Sequence, residues 1–104
     1  MSKKEDIITT IKSLNSKHQS SGFKIVSLFG SYARGCEDIF SDVDLTYSVN
    51  HEIFYKDDAF GKLEKIEDIR KELEEQLHLK VDLIPSNTKN RLIQETLEKE
   101  QIFI

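Results

Sequence analysis

Apolar residues recur along the chain with two periods, which predict helices alternating with strands. Spacings of three and four residues favour helices from about Lys3 to Lys17 and from about Asp58 to Leu77, and a last one, capped by Ser86 or Asn87, to about Lys99. We expect each helix to turn its apolar stripe inward. These stripes comprise Ile7, Ile8, Ile11 and Leu14, then Phe60, Leu63, Ile66, Ile69, Leu73 and Leu77, and finally Leu92, Ile93 and Leu97.

Short β-rich or alternating runs predict three strands, at Phe23 to Phe29, Asp42 to Val49, and Lys80 to Ile84, where Pro85 ends the last. In the second run, alternation separates a polar face from a core face. The polar face holds Asp42, Asp44, Thr46 and Ser48, and the core face holds Val43, Leu45, Tyr47 and Val49. The apolar segment from Gln101 to Ile104 is either a small edge strand or a contact for a partner chain. The pattern as a whole predicts an α+β domain.

Length and composition favour one soluble globular domain spanning residues 1–104, with 38% hydrophobic and 33% charged residues. No apolar run approaches the roughly 20 residues that cross a bilayer, and the N-terminal residues lack the apolar stretch of a signal peptide. Cys36 is the only cysteine, so no disulfide forms within the chain. We therefore expect a cytoplasmic protein without a membrane partner.

The formal net charge of −4 bears on the choice of partner. Proteins that grip a nucleic-acid backbone usually carry a basic stripe, whereas Lys and Arg are scattered here among Asp and Glu. We do not expect long nucleic acid as the main partner. A small nucleotide carried with a cation remains compatible, because the cation supplies positive charge.

The segment from Leu28 to Leu45, LFGSYARGCEDIFSDVDL, holds most of the candidate chemistry. Gly30 allows close approach of the backbone to an anion, and Ser31 opens a short helical turn and adds a hydroxyl donor. Ten residues separate Ser31 from Asp42. This turn predicts a phosphate site that would hold the outer phosphates of a triphosphate.

Asp42 and Asp44 would leave one face of a strand with their Cα atoms roughly 7 Å apart. If the strand holding Asp82 pairs beside it, a third carboxylate joins that face. Repulsion among the three favours a bound cation, and oxygen ligands suit Mg²⁺ or Mn²⁺. Two such ions would serve in-line displacement at phosphorus, with Asp82 placed to orient or deprotonate an attacking hydroxyl.

The candidate residues also have interpretations that involve no catalytic or binding role. An Asp-x-Asp pair is common on exposed strands, and Gly30 could be an ordinary turn glycine. Arg34 could grip phosphate or could pair with Glu37 or Asp38. Tyr32 could stack on a base, but packing against the sheet is the expectation. A Walker A loop is excluded, because Cys36 stands where that motif requires lysine.

The combination of GSYARG, SDVDL and VDLI resembles the DNA polymerase β-type nucleotidyltransferases, and is closest to their small members, the minimal nucleotidyltransferases. The resemblance runs from about Phe23 to Ile84. It implies a mixed sheet with helices on one face and Mg²⁺-dependent transfer of a nucleoside monophosphate from ATP or another nucleoside triphosphate. It also implies phosphate binding by Gly30 and Ser31, with Arg34 in a less defined role. Its implied metal ligands are Asp42, Asp44 and Asp82.

The same resemblance implies a partner, since small members are often paired with a HEPN-domain toxin and add AMP to one of its tyrosines. Two other functions stay open. The chain could be a non-catalytic antitoxin that covers its partner, or a small-molecule nucleotidyltransferase working as a homo-oligomer. The larger relatives' helical domain for holding an aminoglycoside, tRNA or DNA is not visible in this sequence, so we do not expect those substrates.

Overall fold

The structure is a computed structural model that describes residues 3–38, 41–50 and 59–104. Four helices and four strands alternate along these segments, in agreement with the predicted α+β class. In chain order they are α1 (Lys3–His18), β1 (Phe23–Phe29), α2 (Ser31–Arg34), β2 (Val43–Val49), α3 (Ala59–Leu77), β3 (Val81–Pro85), α4 (Arg91–Glu100) and β4 (Ile102–Phe103), with a 3₁₀ turn at Gln19–Ser21. None of the described helices is long and apolar enough to cross a membrane.

The four strands form one mixed sheet in the order β3-β2-β1-β4. β1 pairs antiparallel with β2 and with β4, whereas β2 pairs parallel with β3. A parallel pair needs a long crossover connection, and α3 lies in the segment that joins β2 to β3. The closing apolar segment forms β4 at one edge of this sheet, which is one of the two predicted alternatives. The predicted mixed sheet is confirmed.

One main core lies between the sheet and the helices α1 and α3. Its fully buried side chains come from every layer: Ile7, Ile11 and Leu14 of α1, Phe23, Ile25 and Leu28 of β1, Val43 and Leu45 of β2, Leu73 of α3, and Val81 of β3. β1 reaches this core on both sides of a bulge, since the pairing with β2 skips Val26 between Ile25 and Ser27. A bulge adds one residue and shifts the alternation, so Leu28 points into the core as Ile25 does.

One predicted polar position of β2, Thr46, is buried. Thr46 pairs with Ser27 across the two central strands, and both side chains are fully buried. Their hydroxyl oxygens lie 2.6 Å apart, so each satisfies the other. Because Thr46 is buried, the polar face of β2 is partly exposed to solvent only near Asp44 and Ser48.

The predicted and observed boundaries differ at the ends of β2, β3 and α4. β2 starts at Val43, directly after Asp42, and β3 extends to Pro85, which pairs with Tyr47. The last helix starts later than predicted, because the Asn90 side chain accepts hydrogen bonds from two backbone N–H groups of the first turn. Leu92 in that turn is 76% exposed, so its predicted inward position was wrong. The predicted start of α3 at Asp58 lies outside the described residues.

Candidate functional site

The three acidic residues singled out in the sequence gather at one end of the two parallel strands. Asp44 of β2 and Asp82 of β3 are direct register partners, so both side chains leave the same face of the sheet. Asp42 stands two residues before Asp44, immediately ahead of the strand. The structure therefore brings Asp42, Asp44 and Asp82 to one patch, as the alternation predicted.

Electrostatics confirm that the three carboxyl groups interact. Partial burial raises the pKa of the Asp44 carboxyl to about 6, and the negative charges of Asp82 and Asp42 contribute in the same direction. The guanidinium of Arg34 opposes this effect, whereas the carboxylate of Glu100 adds to it. Asp44 is the centre of the patch, because every other charged group of the site acts on it.

The chemistry of this patch fits a divalent cation, since its donors are carboxylate oxygens whose mutual repulsion a cation would relieve. Within the described residues, however, no three acidic, histidine or cysteine side chains are already arranged closely enough to enclose a metal ion. The carboxylates share a face without forming a finished ligand set. Side-chain rotation toward a bound ion would be required.

Gly30 brings the backbone of the turn directly against Asp44. Its φ of 79° and ψ of −159° place it in a region that essentially only glycine adopts. A Cβ atom at this position would overlap Asp44 Oδ2 and would lie 3.2 Å from Asp44 Cγ. The turn and the carboxylate can be neighbours only because residue 30 has no side chain.

The four residues after Gly30 form the short helix α2, as predicted. The Arg34 N–H donates to the Gly30 carbonyl at 3.1 Å, and Gly35 ends the helix with a left-handed φ of 73°. The Cys36 N–H then donates to the Ser31 carbonyl at 3.0 Å. These bonds hold Ser31 beside Gly30, at the edge of the carboxylate patch.

Burial resolves the alternative that the sequence left open for Tyr32. The side chain of Tyr32 is almost fully buried in the main core, and burial raises the pKa of its phenol. Tyr32 is therefore a packing residue. Cys36 is exposed, and its Sγ accepts a hydrogen bond from Arg34 Nε at 3.4 Å.

Arg34 has a partner that sequence reasoning missed. Its Nη1 donates to both carboxylate oxygens of Glu100, at 2.9 and 2.8 Å. Glu100 Oε1 also accepts the Gly30 N–H at 3.1 Å. These residues lie 66 and 70 positions apart in the chain, so no local pattern could have joined them. The only available signal was an acidic residue at the end of a helix, where basic residues are favoured.

Comparison with known proteins identifies the family of this chain. The family model described as "Polymerase beta, Nucleotidyltransferase" matches residues 9–104, which is nearly the whole chain. The chain belongs to the polymerase β-type nucleotidyltransferase family. It is also 34% identical over 86 residues to the "Putative protein adenylyltransferase MJ1215" of Methanocaldococcus jannaschii, covering 78% of this chain and 91% of that protein.

Solved structures show the same fold at lower sequence identity. A structure described as a "putative minimal nucleotidyltransferase" superposes with a TM-score of 0.67 at 22% identity, covering 95% of this chain and 93% of the other. A second, described as "the toxin-antitoxin with AMP-PNP", has a TM-score of 0.63 at 20% identity and covers 91% and 69% of the two chains. These likenesses confirm the minimal nucleotidyltransferase fold.

Proposed function

We propose that this nucleotidyltransferase moves AMP from ATP to a hydroxyl group, and that the acceptor is a tyrosine of a HEPN-type partner protein. The observation that carries the proposal is the shared register of Asp44 and Asp82, with the Gly30 turn packed against Asp44. This arrangement supports the proposal of an anion-accepting turn beside a carboxylate patch that suits a divalent cation. Family membership supports nucleotidyl transfer as the reaction class.

Each residue has a stated task in this proposal. Ser31 donates to the outer phosphates, Gly30 lets them approach the backbone of the phosphate-binding turn closely, and Arg34 adds positive charge beside them. Asp42, Asp44 and Asp82 hold Mg²⁺, which would supply charge neutralisation at the reacting phosphorus. Mn²⁺ would suit the same oxygen ligands.

The transfer step itself balances without a further reactant. The acceptor oxygen forms a bond to the α-phosphorus, the bond from that phosphorus to the bridging oxygen of the β-phosphate breaks, and pyrophosphate leaves. Asp82 accepts the proton of the acceptor hydroxyl. Because Asp82 is exposed whereas Asp44 is half-buried, Asp82 is the carboxylate that an incoming acceptor can reach.

Two of the comparisons support a protein as the acceptor of AMP. The archaeal relative carries the name of a protein adenylyltransferase, and one structural neighbour is a toxin–antitoxin complex with AMP-PNP. Asp82 is exposed, which is compatible with a hydroxyl contributed by a second protein. A tyrosine of a HEPN partner is what the resemblance of GSYARG and SDVDL to minimal nucleotidyltransferases implies.

The test is label transfer to a purified HEPN-type protein offered as the acceptor. The chain is incubated with that protein, MgCl₂ and ATP labelled at the α-phosphate. We expect label on one tyrosine of the partner with the wild type, and none with Asp42→Asn or Asp44→Asn. The control variant Glu95→Gln, on the exposed side of α4, should transfer as the wild type does. Full transfer by both aspartate variants would refute the assigned roles.

One observation favours a second function, that of an antitoxin acting by contact alone. The described residues hold no finished three-ligand metal cluster, as a site without catalytic use would also show. In the same experiment, a contact antitoxin would neutralise the partner's toxicity without transferring label. The Asp44→Asn variant of such an antitoxin would also neutralise the partner as well as the wild type does.

A further inference from the structure

Glu100 joins the last helix to the proposed phosphate turn. It is the final residue of α4, and only 15% of its side chain is exposed. Its Oε1 accepts both the Gly30 N–H and Arg34 Nη1, and its Oε2 accepts Arg34 Nη1 as well. One carboxylate thus contacts the backbone and the cation of the same turn.

The position of this carboxylate is unfavourable for the helix alone. The carbonyl end of a helix carries partial negative charge, which favours Lys or Arg and disfavours Glu. The side chain is also largely withdrawn from water, which costs free energy unless the charge is hydrogen-bonded. Gly30 and Arg34 supply the compensating donors. The position of Glu100 is therefore explained by its hydrogen bonds to the turn and not by its place in the helix.

We propose that Glu100 is a positioning residue that fixes Arg34 and the Gly30 turn for the triphosphate; the inference rests on the proposed function. Glu100 engages Arg34 through Nη1, and Cys36 Sγ accepts from Nε. Among the described residues no hydrogen bond is made by Arg34 Nη2. The guanidinium is half-exposed, and the turn that carries it packs against Asp44 through Gly30, so it lies near the carboxylate patch. Nη2 is the donor left for a phosphate oxygen.

The alternative, that Glu100 competes with phosphate for the turn, is disfavoured by the sheet. Phe29, just before Gly30, pairs with Asp44 on the β2 side of β1, whereas Leu28 pairs with Ile102 on the β4 side. Glu100 comes two residues before Ile102 and so approaches Gly30 from the β4 edge. It therefore contacts the turn from the β4 side of β1, whereas Asp44 lies on the β2 side.

Calorimetric titration of Mg²⁺·ATP into the full chain tests this. Glu100→Gln keeps an oxygen for the Gly30 N–H but loses the charge on Arg34, so we expect ATP affinity to fall about fivefold, as for one partly exposed charged contact. Glu100→Ala loses both contacts and should cost more. Glu98→Gln, an exposed acid on the same helix, should bind as the wild type. AMP, which lacks the outer phosphates, should bind equally to wild type and Glu100→Gln.

A double-mutant cycle separates positioning from a general structural role. In an Arg34→Ala background, Glu100→Gln should change ATP affinity by less than about twofold, because its effect runs through Arg34. Unchanged or tighter ATP binding by Glu100→Gln would overturn the inference and favour competition. A full effect without Arg34, or an equal loss of AMP binding, would overturn it as well. If the wild type itself binds no Mg²⁺·ATP, the proposed function fails and takes this inference with it.

Discussion

Asp44 and Asp82 sit opposite each other at one register position of the parallel pair β2 and β3. Adjacent strands lie about 4.8 Å apart, so two carboxyl groups on the same face repel at short range. Asp44 is the more buried of the two, and burial together with this repulsion raises the pKa of its carboxyl group to about 6. A fold with no use for this pair would gain stability by replacing one member.

The first prediction is that Asp44 makes the metal-free protein less stable as pH rises. Its carboxyl has a folded pKa of about 6 against roughly 3.9 when unfolded. Since the raised pKa means the folded state holds the proton more tightly, this contribution to stability is full below pH 4 and lost as pH passes 6. Asp44→Asn should therefore raise the free energy of unfolding at pH 7.5 by about 1 kcal/mol after solvent screening.

Urea unfolding with EDTA at pH 4.5 and pH 7.5 measures this effect, with wild type and Asp44→Asn compared at each pH so that other titrating groups cancel. The gain from Asn should appear at pH 7.5 and shrink toward zero at pH 4.5. MgCl₂ at pH 7.5 should stabilise the wild type more than Asp44→Asn. A variant less stable than the wild type at pH 7.5 without metal would show that the charged Asp44 carboxylate, although partly buried, does not destabilise the fold.

The second prediction concerns the close approach of Gly30 to Asp44. Gly30→Ala places a Cβ atom against Asp44 Oδ2 in a backbone region that alanine avoids, so we expect at least about 2 kcal/mol of destabilisation. Label transfer should be lost, because the turn must move. Gly35→Ala is the matched control: φ is also positive, but nothing lies within 4 Å of its Cβ, and about 1 kcal/mol is the expected cost.

Thermal unfolding of both glycine variants, together with label transfer, checks the comparison. Transfer by Gly35→Ala should persist at a temperature where it stays folded. Equal behaviour of the two variants would mean that backbone conformation alone matters at residue 30 and that contact with Asp44 does not.

Local pattern was enough to predict the α+β class, most elements and the shared face of Asp42 and Asp44. The arrival of Asp82 at that face was predicted only on the condition that its strand pairs beside β2. Alternation in β2 placed Asp42 and Asp44 together, and Val81 and Leu83 flanking Asp82 indicated its face. What local pattern could not supply was long-range pairing. The bulge at Val26 and the pairing of Ser27 with Thr46 depend on the register between β1 and β2. The link from Glu100 to Arg34 depends on how the chain end returns beside β1, where β4 pairs.

The third prediction tests the buried hydroxyl pair. Thr46→Val keeps the shape of the side chain but removes the hydrogen-bond partner of Ser27, which lies wholly inside the protein. A buried polar group without a partner costs about 1–3 kcal/mol, so the variant should be destabilised by that amount. Adding Ser27→Ala should recover part of the loss, because no unsatisfied hydroxyl remains. Urea unfolding of the single and double variants measures this, and additive losses would show that the two hydroxyls act independently.

The fourth prediction separates Asp82 from Asp44 by their burial. Asp82 is exposed, so Asp82→Asn should change the free energy of unfolding by less than about 0.5 kcal/mol. Its loss should nonetheless lower the rate of label transfer at least about 100-fold, because it removes a carboxylate that holds metal and accepts the proton. ATP affinity should fall much less, since Gly30, Ser31 and Arg34 remain in place. Single-turnover rates and calorimetry distinguish the two effects; a variant that transfers at the wild-type rate would remove Asp82 from the reaction and leave Asp42 and Asp44 as the whole of the acidic site.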